Sequence, residues 1–533
     1  MEISAPTPHP HSISIKIWPP SQNTRLTLVE RIVDNLLNQS ISTLKYGFLT
    51  KEEAAKNGKE IEESAFKIGN ELFEKESDGD GNSAVQLYAK ECSKNILEIL
   101  KRGSRPKEVK ETCFDISNGK RAFIEEEEAR ELLKPLKEPG NCFTKICFSN
   151  RSFGLGAANV AKPILESIKN QLEEVDLSDF VAGRPEEEAL QVMNIFSAAL
   201  EGSVLRLLDL SNNALGEKGV RAFEKLLKSQ SKLEKLYLMN DGISEEAAGA
   251  VCELIPSTAN LKVLHFHNNM TGDEGALAIA EIVKQSPLLE DFRCSSTRVE
   301  SDGGIALCEA LETCSQLKRL DLRDNMFGVE AGKSLSKTIL KRGNLIEEIY
   351  LSYLNLEDEG VIAIVDALKE SSPLLEVLDI AGNDITAGAA PSIVACIKEK
   401  EYLVKLILSE NDLKDEGAIE ISSALEASHG PLKEVDLSVN SIRRAGARMI
   451  AQAVVGKPEM KLLNLDGNFI SDEGVDELKS IFKSSPGVLG SLDENDPEGS
   501  DDHDSETEEK ESGDDDEDDL EAEMKKLGIN SSS

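Results

Sequence analysis

An asparagine-centred pattern returns almost every 28 or 29 residues, and that spacing constrains this chain more than any other feature. Aligned on LxxLxLxxN, the pattern is met by Leu205, Leu208, Leu210 and Asn213; by Leu261, Leu264, Phe266 and Asn269; by Leu317, Leu320, Leu322 and Asn325; and by Leu375, Leu378, Ile380 and Asn383. Leu403, Leu406, Leu408 and Asn411 follow, then Leu432, Val435, Leu437 and Asn440, and Leu463, Leu465 and Asn468 close the series. Asp241, Thr297 and Leu354 fill the asparagine slot in weaker copies, and Phe180 and Arg151 fill it upstream. Successive slots lie 29, 33, 28, 28, 28, 28, 29, 29, 28, 29 and 28 residues apart. Units this short cannot bury an apolar face alone, so they must stack along one axis.

Period and pattern are those of long leucine-rich repeats, an α/β solenoid. Each unit predicts a short strand at LxLxx, a turn and a helix. In GEKGVRAFEKLLK, Val220, Phe223, Leu226 and Leu227 recur at helical spacing. The acids of GDEG, EDEG, KDEG and SDEG fall at helix starts, where negative charge meets the positive end of the dipole. Strands are expected on the concave side and helices on the convex side. In the asparagine slot the side chain should turn inward and hydrogen-bond the backbone of adjacent turns. The repeats are expected over 140–485. Residues 104–139 read as a linker and capping region, with a strand near 112–116 and a lead-in helix within 123–136.

Residues 14–103 read as a separate all-helical domain. Leu26, Val29, Val33, Leu36 and Leu37 form one stripe. Thr50 and Glu53 fit a capping box opening a second helix, whose buried face continues through Ile61, Ala65, Ile68 and Leu72. A third helix starts near Asn82 or Ser83, buries Val85, Tyr88, Ala89, Cys92, Ile96 and Leu100, and ends at Gly103. DGDGN at 78–82 is not a calcium loop, because Ser83 and Ala89 stand where the required Gly and Glu would be.

Composition excludes several function classes. The formal net charge is −38, and residues 493–523 hold 19 acids against one Lys, leaving −20 on the rest. No basic face is available for nucleic acid. A basic protein partner suits this surface better, through faster encounter. Residues 486–533 carry too few apolar side chains to fold and are expected to be a disordered acidic tail. The nine cysteines are irregularly spaced, with Cys142 and Cys147 as the closest pair and no zinc pattern, as in a reducing compartment. Neither a signal-peptide h-region nor a run long enough to span a bilayer occurs, so membrane association is expected through partners. His265 and His267 share one face of a strand, without an evident third ligand for a metal. Neither GxxxxGK[ST] nor GxSxG is present. The residues alone describe a protein-binding solenoid, without a self-contained active site or a cofactor of its own.

Two stretches carry a resemblance that sharpens this reading. KIWPPSQNTRLTLVERI at 16–32 resembles the start of a WPP domain, named for Trp18, Pro19 and Pro20, and residues 78–103 resemble its last helix. VDLSDFVAGRPEEEAL, LSNNALGEKG, LYLMNDGIS, FHNNMTGDEG, FRCSSTR and LDLRDNMFGVEAG are similar to the leucine-rich domain of Ran GTPase-activating proteins. WPP domain, repeats and acidic tail in this order resemble the plant form of that family. The resemblance implies an activator of GTP hydrolysis on Ran, with GTP and Mg²⁺ bound by Ran. It implies anchoring by Trp18, Pro19 and Pro20 to coiled-coil proteins of the nuclear envelope. The expected locations are the cytoplasm, the outer face of the envelope and mitotic structures such as the cell plate. It points to Asn213 as the residue orienting the catalytic glutamine of Ran and to Arg184 in a supporting or docking role. Periodicity gives no reason to single out Asn213, and its neighbour Asn212, outside the slot, is the rival for contact. Glu186 departs from the basic residue some relatives have two positions after the arginine. The competing class is a non-catalytic leucine-rich binding or scaffold protein.

Overall fold

A bidentate ion pair sets the rotation of the first helix. In the computed structural model, which describes residues 17–37, 49–75, 80–102, 112–117, 121–428 and 430–496, the first of two units, Met1–Lys110, contains helices α1 (Gln22–Leu37), α2 (Lys51–Lys75) and α3 (Asn82–Arg102). Arg25 donates to Glu62 through Nε at 2.8 Å and Nη2 at 2.7 Å, and its guanidinium lies 3.8 Å from the centre of the Phe66 ring. The Glu62 side chain is only 3% exposed. With Arg25 turned inward, α1 buries Ile32 and Leu36, and Leu26 is left 60% exposed. The expected stripe therefore holds at Leu36 and fails at Leu26. In α3, Tyr88, Cys92 and Leu100 are buried as expected, whereas Ala89 is exposed and Ala84 is buried in its place. The capping box forms as read: Thr50 N donates to Glu53 Oε2 at 2.9 Å and Glu53 N to Thr50 Oγ1 at 3.2 Å.

Trp18 belongs to this core. It is 3% exposed, stacks on Phe66 at 5.4 Å between ring centres and meets Tyr88 at 5.8 Å. Two glycines make its seat. A Cβ on Gly69 would lie 2.9 Å from the indole, and one on Gly81, at φ +84°, 2.3 Å from the Trp18 Cβ. Pro19 is exposed and Pro20 half-buried. Residues 78 and 79 of the DGDGN stretch, and Gly103, lie outside the described residues.

The second unit is a thirteen-stranded parallel sheet in strict chain order, from Cys113–Asp115 to Leu462–Asn464, with one helical segment or more after almost every strand. Cys113–Asp115 pairs with Lys145–Cys147, so the array begins before residue 140. At the far end Leu489 bridges to Leu463, and Asn495 Oδ1 accepts from Asn468 N at 3.0 Å. Asn495 thus serves as a last rung, and the first acids of the tail close the array: Glu494 N donates to Asp466 Oδ1 at 2.8 Å. Repeats therefore extend past 485, because a terminal rung still needs a donor–acceptor partner. Residues 497–533, and with them the rest of the expected disordered tail, lie outside the described residues. No described helix is long and apolar enough to cross a membrane.

Two side chains stitch neighbouring repeats. The slot asparagines form a ladder: Asn269 Oδ1 accepts from Asp241 N and Ile243 N of the preceding repeat, both at 3.0 Å, and its Nδ2 donates to Leu238 O at 2.8 Å. Asn468 repeats this with Asn440 N at 2.8 Å and Ile442 N at 3.1 Å. The helix-start acids do more than meet their own dipole. Asp415 Oδ1 accepts from Arg443 N at 2.8 Å and Gly446 N at 3.0 Å, capping the next repeat's helix, and Asp273 and Asp358 reach Glu300 N and Thr386 N in the same way, each at 2.8 Å. A Cβ on Gly446 would stand 2.5 Å from Asp415 Oδ1, which is why glycine occupies that site. The spacing identified these acids but not their direction of action.

The Arg25–Glu62 pair makes a test. Glu62→Gln should lower the stability of the helical unit by about 1–3 kcal/mol, since a buried charge-assisted pair is replaced by one weaker bond. Trp18 is the single tryptophan of the chain, so urea unfolding followed by its fluorescence reports that unit directly.

Candidate functional site

Asn213 lies inside the ladder. Its side chain accepts from Phe180 N at 3.0 Å and donates to Leu177 O at 2.9 Å, Leu210 O at 2.7 Å and Ser211 O at 3.2 Å. The residue is 5% exposed. Both functional atoms of the amide are committed to backbone partners, so direct contact with a partner protein would first break the turn. The inward turn expected of a slot asparagine is met at Asn213.

The residue before each slot is presented instead. From Asn150 to Gly467 that position has positive φ, including Asn212 at 64°, Asn240 at 54° and Asn268 at 62°. Asparagine tolerates this conformation better than most residues. It turns the side chain out of the sheet onto the edge where strands lead into helices. Asn212, Asn240 and Asn268 are all exposed. They form a row: Asn240 Nδ2 donates to Asn212 Oδ1 at 3.0 Å, and Asn268 Nδ2 to Asn240 Oδ1 at 3.2 Å. Sequence reasoning noted Asn212 but missed the row. The signal was the polar residue preceding the slot in LSNN, LMND and FHNN.

The 33-residue step places an extra loop beside this row. A cleft of about 820 Å³ opens there, lined by Gly183, Arg184, Asn212, Gly216, Lys218 and Glu246 among others. Arg184 forms its wall without being free. Nε donates to Ser152 Oγ at 3.2 Å, Nη2 to Ser152 O at 2.8 Å and Ile124 O at 3.3 Å, and Nη1 to Glu125 Oε1 at 2.6 Å. Its guanidinium lies 4.9 Å from the Phe123 ring centre, and the side chain is 9% exposed. It braces the two-stranded sheet of Ala122–Ile124 and Arg151–Phe153. An arginine finger needs an extendable guanidinium, and this one is held on all sides. Glu186 pairs with Lys218 Nζ at 2.6 Å, so the adjacent repeat supplies a cation beside the acid.

Of the two histidines, His265 is engaged at the end of its strand, and Nδ1 of His267 is buried without a hydrogen-bond partner. His265 Nε2 lies 3.1 Å from Asp291 Oδ1, and Arg293 Nε donates to the same oxygen at 3.0 Å. Burial pushes the Asp291 carboxyl up, but the hydrogen bonds from His265 and Arg293 prevail and hold it at about 2. Burial and the neighbouring His265 push His267 below the usual imidazole range. Among the described residues no cluster of three or more His, Cys, Asp or Glu is arranged to hold a metal. Burial pushes the Cys147 thiol up to about 12, away from nucleophilic use.

An edge of outward amides on a rigid repeat sheet defines a leucine-rich repeat protein that works by touching another protein. Comparison narrows the class. Residues 14–110 match the WPP domain family, and residues 203–223, 371–391 and 400–422 match the Leucine Rich repeat family. The chain is 64% identical over 504 residues to RAN GTPase-activating protein 2 of Arabidopsis thaliana, covering 92% of each chain. It is 59% identical over 507 residues to RAN GTPase-activating protein 1 of the same plant, covering 94% of each. WPP domain-containing protein 1 of Arabidopsis thaliana is 38% identical over 97 residues, 18% of this chain and 61% of that one. The chain belongs to the Ran GTPase-activating protein family.

As a rung, Asn213 should behave like any other. Asn213→Ala and Asn411→Ala should each lower stability by about 1–3 kcal/mol, the cost of orphaning buried backbone groups. Thermal melts of the two variants check this. A melt of Asn213→Ala matching the unsubstituted protein would remove Asn213 from the ladder.

Proposed function

We propose that this chain accelerates GTP hydrolysis by Ran through the exposed amide row at its edge, and that its helical unit attaches it to the nuclear envelope. The observation that carries the first half is the 64% identity with RAN GTPase-activating protein 2 over 92% of both chains. Phosphoryl transfer asks for positioning and charge stabilisation rather than covalent help. Ran would bring GTP, Mg²⁺ and the glutamine that positions water, and the activator needs no cofactor of its own. An amide suits the task of orienting that glutamine, because it donates and accepts at once. Asn213 has no amide atom to offer, so the role passes to Asn212, Asn240 or Asn268. Arg184 takes the supporting role, bracing the adjoining cleft through Ser152, Ile124 and Glu125.

The WPP match and the WPP domain-containing relatives support the second half. Coiled-coil proteins of the envelope are the partners we propose. Ile17, Leu26 and Leu97 are large apolar side chains left exposed on the helical unit, a chemistry that fits the apolar seam of a coiled coil. The protein would then work in the cytoplasm and at the outer face of the envelope, with recruitment to mitotic structures such as the cell plate. Trp18 serves this attachment by holding the bundle together, and Pro19 and Pro20 by presenting its edge.

Single-turnover hydrolysis of Ran-bound GTP tests the first half. Alanine at one or more of Asn212, Asn240 and Asn268 should lower the stimulated rate by roughly 100-fold, about 2.7 kcal/mol of barrier, with an unchanged melt. Asn213→Ala should lose activity only in step with its stability. Three fully active row variants would return the function to a scaffold without catalytic effect. For attachment, Trp18→Ala should destabilise the bundle by about 3–5 kcal/mol, so its loss from the nuclear rim is ambiguous. Leu26→Asp should keep the melt and still leave the rim, and its retention there would count against docking on this face.

A further inference from the structure

One rung of the ladder is an acid. Asp241 is fully buried, at 0% exposure. Its Oδ1 accepts from Asn213 N at 2.8 Å, its own N donates to Asn269 Oδ1 at 3.0 Å, and its O accepts from Gly216 N at 3.0 Å. Oδ2 has no hydrogen-bond partner. At the flanking rungs the corresponding atom is an Nδ2 that donates to carbonyl oxygens: Asn213 to Leu177, Leu210 and Ser211, Asn269 to Leu238 and His267. By analogy with Asn213, a donor at Oδ2 of Asp241 would be addressed to the carbonyls of Leu210, Leu238 and Met239. A carboxylate can only accept and would confront acceptors there. A carboxylic acid has one O–H and can donate as the amide does.

We propose that Asp241 is a positioning residue for the Asn212–Asn240–Asn268 row, acting as a neutral carboxylic acid rung whose O–H replaces the amide N–H of its neighbours. It lies next to Asn240 in the chain, and its Oδ1 holds the backbone of Asn213, next to Asn212. Burial drives its carboxyl well above the usual range, the hydrogen bond from Asn213 N opposes this, and the negative Asp209 on the preceding strand adds to it. The rungs on either side, Asn213 and Asn269, are neutral, and the nearest helix starts carry Glu217, Glu245 and Glu246.

The sign of the pH effect follows. A carboxyl raised in the folded state contributes stability that is full below its unfolded pKa and is lost progressively as pH rises towards its folded value. An asparagine at 241 has the donor permanently.

Two variants test this. Asp241→Asn supplies the N–H directly. Asp241→Leu removes both hydrogen-bonding atoms but is expected to fold, because Leu354 already fills a rung, where Asn325 N turns to the Tyr353 carbonyl at 3.1 Å. In Asp241→Leu the same rerouting would pull Asn213 N onto the Asn240 carbonyl and displace the row. The melting temperature of the wild type should fall relative to Asp241→Asn as pH is raised from about 5 to about 8, by up to tenfold in the unfolding equilibrium constant per pH unit. A difference that stays flat with pH overturns the neutral acid. The activity arm rests on the Ran reading: Asp241→Asn should match or exceed the wild type in stimulating Ran, and Asp241→Leu should fall about tenfold while folded. Equal stimulation by Asp241→Leu and wild type overturns the positioning role. No stimulation by the wild type itself would sink the Ran reading and leave the melting comparison as the test of the rung.

Discussion

Everything in the repeat unit depends on how the backbone is satisfied where it leaves the sheet. Three-residue strands pair in parallel and in register, but the turn after each strand leaves peptide groups pointing inward, away from water. A buried peptide group without a partner costs on the order of 1–3 kcal/mol, and this site recurs in every repeat. The slot asparagine answers the demand with one side chain, accepting from the turn before and donating to the carbonyls around it. The apolar core of Leu, Ile, Val and Phe can then run unbroken beneath the sheet.

The same geometry separates structure from function by a single residue. The inward slot consumes the hydrogen-bonding capacity of Asn213, and the positive-φ residue before it is turned outward. Neighbouring asparagines thus have opposite fates. One maintains the turn, and the other stands in a row with Asn240 and Asn268 at spacing set by the sheet. An edge built in this way holds polar groups in fixed register without the mobility of a long loop, which suits preorganised contact with a second protein.

The solenoid, its strand positions and the ladder were legible in the sequence because periodicity repeats the evidence many times over. The capping box at Thr50 was legible because its chemistry is local. Leu26 was misplaced because the rotation of its helix depends on Arg25 meeting Glu62, a contact 37 residues away in the chain. Asn213 was preferred over its neighbours on resemblance alone, although the ladder expected at every slot already implied an engaged amide there. The bracing of Arg184 was not legible because its partners, Glu125, Ser152 and Ile124, come from a region read as linker and cap or from the preceding repeat.

The two stitches between repeats run in opposite directions along the chain. Each slot asparagine secures the turn that precedes it, whereas Asp273, Asp358 and Asp415 secure the helix that follows. Removing a repeat that carries both stitches therefore deprives the repeat before it of a rung and the repeat after it of a helix cap. A load applied at one terminus meets resistance from the repeat behind and from the one ahead, so such an array behaves less like a zipper, which opens from whichever end is pulled, than like overlapping roof tiles pinned from both sides.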